Sequence, residues 1–200
     1  LSKRPLLLPC LVLALAVGLS ACGGGSSDDE GRIEEAIERS AANEDPSVCT
    51  ELQTRKFTEQ TQQESGKAAV RSCEEEAEES EGAESATAAN VAVDGSTATA
   101  EATLKGGSLD GQTLEVELVK DGDQWKLNEV VKFTKLDQPK LVETFEREFE
   151  KAKSEVSPKL AACFAEAFAK ASRAEIEEML FSGSTQALQE VAEGCPSSSS

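Results

Sequence analysis

Cysteine is the side chain in this sequence with the most chemistry to offer. There are six cysteines in 200 residues, and there is no histidine and no tyrosine. Histidine is the usual general base and the commonest metal ligand, so its absence weighs against many hydrolases and against zinc sites. Cys49, Cys73, Cys163 and Cys195 stand far apart, with no CxxC spacing among them. An even number of such cysteines in an exported chain reads as disulfides, here two. Three pairings are formally possible. Cys49–Cys73 and Cys163–Cys195 are favoured, because each bond then stays inside one compositional segment. No metal and no cofactor is expected.

The remaining two cysteines lie near the N-terminus. Lys3 and Arg4 precede an apolar run from Leu6 to Leu19, which holds Cys10 and is interrupted by Pro9. The run is shorter than the roughly 18 residues that span a bilayer. A basic start, a short apolar segment and small residues ahead of a cut site describe an export signal. It ends in Leu19-Ser20-Ala21-Cys22, which resembles a bacterial lipobox. The resemblance implies that Cys22 receives a thioether-linked diacylglycerol and becomes the first residue of the mature chain. Gly23 to Ser27 then form a tether with little side-chain bulk. Two acyl chains, at about 0.8 kcal/mol per buried methylene, suffice for stable anchoring where one is marginal. The expected location is the extracytoplasmic face of the cell membrane, with the lipid on Cys22 as the membrane contact.

Charge narrows the partners. The formal net charge is −18, and loss of the cations Lys3 and Arg4 with the signal takes it to −20. Such a surface repels nucleic acid and anionic lipid headgroups, so no nucleic-acid partner is expected.

The elements that would position these cysteines follow from periodicity. Ile33, Ala36 and Ile37 share one face of a helix over 31–42. Asp45-Pro46 looks like an N-cap with first-turn proline, opening a helix from Ser47 to about Gln62 with Val48, Leu52 and Phe57 inward. A third helix, over 67–79, carries Ala69, Val70 and Cys73, and ends in an acidic run read as a solvated face. From Ala88 the period becomes two. Ala98, Ala100, Ala102 and Leu104 alternate with polar neighbours, then Leu114, Val116 and Leu118, then Trp125, Leu127, Val131 and Phe133. Asp94-Gly95 and Asp121-Gly122 mark tight turns, so the expected sheet is a four-stranded antiparallel meander. Beyond Asp137 the pattern is helical again. Pro139 begins one helix with Leu141, Val142, Phe145, Phe149 and Ala152 inward. Ser157-Pro158 opens a second, with Leu160, Cys163, Phe164, Ala167 and Phe168 inward. Ser172-x-x-Glu175 forms a capping box, and a last helix follows Ser184 and stops at Gly194.

Helices bearing one cysteine each, followed by a meander whose last strand opens "DGDQWKL", resemble actinomycete lipoproteins with a nuclear-transport-factor-two-like, or cystatin-like, cone. The resemblance covers about 30–135 and implies a curved sheet wrapped around a helix, often with a pocket at the wide end. Cyclases and ketosteroid isomerases of that fold place acidic or histidine catalytic residues there. This chain has no histidine, and its pattern aims no Asp inward. The tail resembles small cysteine-bracketed helical modules of other actinobacterial secreted proteins.

The expected fold is α+β: N-terminal helices on a four-stranded meander, then a small all-α module. The expected organisation is a signal peptide (1–21), a tether (22–30), a cone-like domain (31–136), a helical module (137–195) and a disordered tail (196–200). The expected function is non-catalytic binding of a small apolar ligand or an envelope protein. The alternatives are a carboxylate-dependent enzyme in the cone pocket, or a structural spacer of the envelope.

Overall fold

The computed structural model describes residues 27–79, 82–151, 157–183 and 185–195. Cys22, the signal peptide, most of the tether and the serine tail lie outside the described residues. The architecture is α+β. Four helices, α1 (Ser27–Ala42), α2 (Val48–Glu51), α3 (Arg55–Gln62) and α4 (Lys67–Glu79), precede the strands β1 (Ser85–Asp94), β2 (Thr97–Lys105), β3 (Thr113–Asp121) and β4 (Gln124–Lys135). Four more helices follow: α5 (Gln138–Lys151), α6 (Pro158–Lys170), α7 (Arg173–Phe181) and α8 (Gln186–Gly194). The sheet is open and antiparallel in the order β1-β2-β3-β4, the expected meander.

The two tight turns sit one residue later than the Asp-Gly pairs suggest. Asp94 pairs with Thr97 and Asp121 with Gln124, so the turn residues are Gly95-Ser96 and Gly122-Asp123. Gly95 and Gly122 have φ of +62° and +63°, a left-handed region that glycine enters without a Cβ clash.

One sheet face is apolar. Ala98, Ala100, Ala102, Leu114, Val116 and Leu118 form it, with Trp125, Leu127, Val130 and Phe133 from β4. Ile33 and Ile37 of α1 pack into it from one side, and Ile176 and Met179 of α7 join the same core. The segment 137–195 therefore shares the core of the sheet. The opposite face is polar, and its acids are placed awkwardly: Glu101 stands opposite Glu115, and Glu117 opposite Glu129. Like charges across a ladder destabilise it. Each of these glutamates is given a donor: Asn90 for Glu101, Lys132 for Glu115, Asn128 for Glu117 and Lys56 for Glu129.

Three expectations need correction. Val131 does not face the core. It is 43% exposed, while Val130 is 5% exposed. The pairing slips three times along β4, leaving Asn128, Val131 and Thr134 as unpaired extra residues. Each bulge resets the alternation by one, so the inward set is Leu127, Val130 and Phe133, spaced by three and not two. Second, the helix expected over 47–62 is broken. Leu52 and Gln53 leave it to pair in parallel with β4 at Leu127. Thr54 then caps α3 by accepting the Phe57 N–H. Third, α1 begins at Ser27 and takes in residues expected in the tether. Asp28, Asp29 and Glu30 fill its first turn, where the helix dipole favours acids.

The helix ends beyond β4 form as their residues suggest. Ser157 caps α6 by accepting from Leu160 N, and Ser172 and Glu175 make a reciprocal capping box on α7. Both disulfides are those favoured: Cys49 to Cys73 and Cys163 to Cys195, with Cα separations of 6.0 and 5.8 Å.

Candidate functional site

The four bonded cysteines are staples, not reactive thiols. Cys49 and Cys73 tie α2 to α4, and Cys163 and Cys195 tie α6 to the end of α8. Bonded sulfurs cannot act as nucleophiles or thiolate ligands without reduction. Among the described residues no group of three His, Cys, Asp or Glu side chains is placed to hold a metal ion.

The interior beneath the sheet is filled. Trp125, Phe133, Ile33, Ile37, Leu118 and Leu141 are all under 2% exposed. Two of the hollows at the surface of the described residues are half-open. One of about 210 Å³ sits between α1 and the start of β4, lined by Arg32, Glu35, Arg39, Asp123 and Trp125. The other, about 410 Å³, is lined by Cys49, Val70, Val119, Arg55 and Lys126 among others.

The best-organised polar cluster stands next to the first hollow. The Trp125 indole N–H donates to Asp29 Oδ1 at 3.0 Å, and Lys120 Nζ donates to the same oxygen at 2.7 Å. Lys120 Nζ also lies 5.4 Å from the indole centroid, within cation–π range. The Lys120 and Trp125 hydrogen bonds hold the Asp29 carboxyl below the usual carboxylate range. Arg32 Nη1 adds a bond to Asp123 O at 2.9 Å. This cluster clamps α1 to the β3–β4 turn. A proton-abstracting base works best with a pKa near the working pH. Asp29 moves the other way, as do Asp45, Glu59, Asp110, Glu166 and Glu175, whose clear shifts are all downward from bonds to backbone N–H groups, serine hydroxyls or cations. These acids are acceptors that hold structure together.

The two sheet edges differ sharply. On β4 the outward backbone groups meet partners at every third residue. Leu127 N–H donates to Leu52 O, and Leu127 O accepts from Thr54 N–H, each at 2.8 Å. Val130 N–H donates to Gln60 Oε1 at 2.7 Å, while Gln60 Nε2 donates to Val130 O and to Phe181 O at 2.8 Å. Phe133 N–H donates to Glu177 Oε1 at 2.9 Å. On β1, among the described residues, no backbone bond is made except to β2 and the adjoining turn.

Sequence reasoning missed Asp29, Gln60 and Glu177. The acidic first turn of α1 was a signal for Asp29, since it directly precedes the Ile33–Ile37 stripe. Nothing in the pattern marks Gln60 or Glu177, because a polar residue that meets a strand edge has no periodicity. Compared with known proteins, the chain matches no protein-family model, no curated protein and no solved structure.

Proposed function

We propose that the protein is a non-catalytic lipoprotein of the cell envelope, held through a lipid on Cys22 at the extracytoplasmic face, where its α+β body engages an envelope protein. The observation that carries the reading is Leu19-Ser20-Ala21-Cys22 closing a short apolar segment, with Gly23 to Ser27 behind it. No helix among the described residues is long and apolar enough to cross a membrane, so the lipid is the membrane contact in this reading.

The filled interior supports contact through the surface over chemistry in a cavity. The downward shifts of Asp29, Glu59 and Asp110 support it too, since an enzyme of this kind needs a carboxylate raised by burial. The cone-like curvature belongs to the same proposal. Three bulges on β4 and one at Asn90-Val91 on β1 supply bends at both edges of the sheet. A small apolar ligand is the second reading, favoured by the hollow of about 410 Å³ beside Val70 and Val119.

Metabolic labelling with a radioactive fatty acid tests the anchor. Wild type should carry label and fractionate with membranes, while Cys22→Ala should remain an unlabelled precursor. Equal label on the variant would overturn the reading. Mass spectrometry of the natively purified protein separates the two readings of the body: a copurified protein supports the first, a retained apolar molecule the second.

A further inference from the structure

We propose that the open edge of β1, from Ser85 to Ala89, is a docking site for an extended segment of a partner protein that brings lysine or arginine at its flanks. This deepens the envelope-partner reading above and rests on it for the partner's location only. An unpaired strand presents N–H and C=O groups that can template another strand, and proteins ordinarily blunt such edges with charge, proline or a covering element. The chain does this thoroughly on β4. That strand carries Lys126, Glu129, Lys132 and Lys135, and its edge is closed by Leu52–Thr54, Gln60 and Glu177.

Among the described residues none of these devices closes the hydrogen-bonding edge of β1 along its first half. No charged residue and no proline occurs between Ser85 and Val93. Thr87, Ala89 and Asn90 are exposed, and the topology leaves β1 terminal. The bulge at Asn90-Val91, with Asn90 at φ +52°, interrupts the ladder and so limits a docked strand to the Ser85–Ala89 stretch.

The charges around the edge select the occupant. In α1, Arg32, Glu35 and Arg39 line the hollow on the β4 side. Glu30, Glu34 and Glu38, spaced by four, therefore occupy the opposite flank, and all three are exposed. Glu84, already paired with Lys105 at 2.9 Å, precedes the strand, and the exposed Asp94 ends it. A second copy would bring these acids against their equivalents on a chain of formal net charge −18, or −20 once Lys3 and Arg4 leave with the signal, which opposes self-pairing. A strand with basic flanks meets them favourably.

The test uses the full-length lipoprotein in detergent, with hydrogen exchange read by mass spectrometry and fatty-acid label on Cys22 read on the same preparation. The probes are two synthetic peptides, Val-Thr-Val-Thr-Val flanked by lysines or by glutamates. The lysine-flanked peptide should slow exchange of the 85–89 amides at least tenfold at saturation, and the glutamate-flanked peptide should not. Thr87→Glu, on the exposed face, should tighten binding several-fold, and Thr87→Lys should weaken it several-fold. No protection by either peptide, or equal protection by both, would overturn the proposal. So would 85–89 amides already as protected as those of β2 without peptide, or protection that rises with protein concentration alone. Loss of label with edge protection intact would sink the anchor and leave the edge proposal standing, and the reverse result would sink only the edge.

Discussion

Trp125 joins the core of the sheet to the first turn of α1. Its ring is 1% exposed in the core, and its N–H reaches Asp29 in the first turn of α1. Truncation removes both the packing and the donor, so Trp125→Ala should lower stability by about 3–5 kcal/mol, measured by urea unfolding followed by circular dichroism. As the only tryptophan, it also reports on its own surroundings. Native emission should be blue-shifted and poorly quenched by iodide; a red-shifted, freely quenched spectrum would contradict the register of β4. Asp29 gives the pH dependence. Its folded pKa lies below the ordinary 3.8 because Lys120 and Trp125 donate to the ionised form. Its contribution is therefore complete above the unfolded pKa and is lost as pH falls through the lower folded value. Trp125 emission should change on acidification below about pH 4, and Asp29→Asn should reduce that change while leaving the neutral-pH fold intact.

At the scale of elements, β4 explains why some of the fold was legible in the sequence and some was not. Elements that depend on their own residues could be read directly. Ser157 and the Ser172–Glu175 box mark helix starts by local hydrogen bonds, and the two glycine turns mark hairpins by backbone conformation. Elements shaped by a distant partner could not. Leu52 and Phe57 fit one continuous helix, but pairing of Leu52–Thr54 with Leu127 competes with it and wins, closing a sheet edge. Val130 and Val131 are adjacent and chemically identical, so only the bulges decide which is buried. Of the candidate site residues, the disulfide pairs were legible because each lies within one compositional segment. Gln60 was not, since its role exists only where α3 meets β4. That role makes a sharp prediction. Gln60→Leu keeps the bulk but leaves Val130 N–H, Val130 O and Phe181 O without a partner. Each buried group left unpaired costs about 1–3 kcal/mol. Urea unfolding should therefore show a larger loss for Gln60→Leu than for substitution of the neighbouring Glu59, whose bonds to Arg55 and Gly66 are exposed and part-buried, respectively.

For the whole molecule the question is whether the helices after β4 belong to the same cooperative unit as the sheet. Compositional reading places a boundary between 136 and 137, and a small separate module would have little core of its own. The packing runs across that boundary at several points. Phe181 lies 4.9 Å from Phe133 between ring centroids, and its carbonyl accepts from Gln60. Gln63 Nε2 donates to Met179 O at 2.9 Å, and Gln112 exchanges hydrogen bonds with the Asp137 backbone that starts α5. Ile176 is fully buried in the core that contains Phe133. Ile176→Ala should then cost about 2–5 kcal/mol. The informative readout is Trp125, which sits at the other end of β4 and belongs to the same buried cluster. If one core holds both, Ile176→Ala moves the urea midpoint of Trp125 fluorescence by the same amount as the midpoint of far-ultraviolet circular dichroism, in a single transition. If segment 137–195 unfolds on its own, the Trp125 midpoint stays at the wild-type value while the helical signal is lost earlier. Because Glu177 of α7 accepts the Phe133 N–H at the β4 edge and Phe181 packs on the Phe133 ring, unfolding of the helices alone would strand that N–H and uncover the ring. That cost is what makes the single transition the expected result.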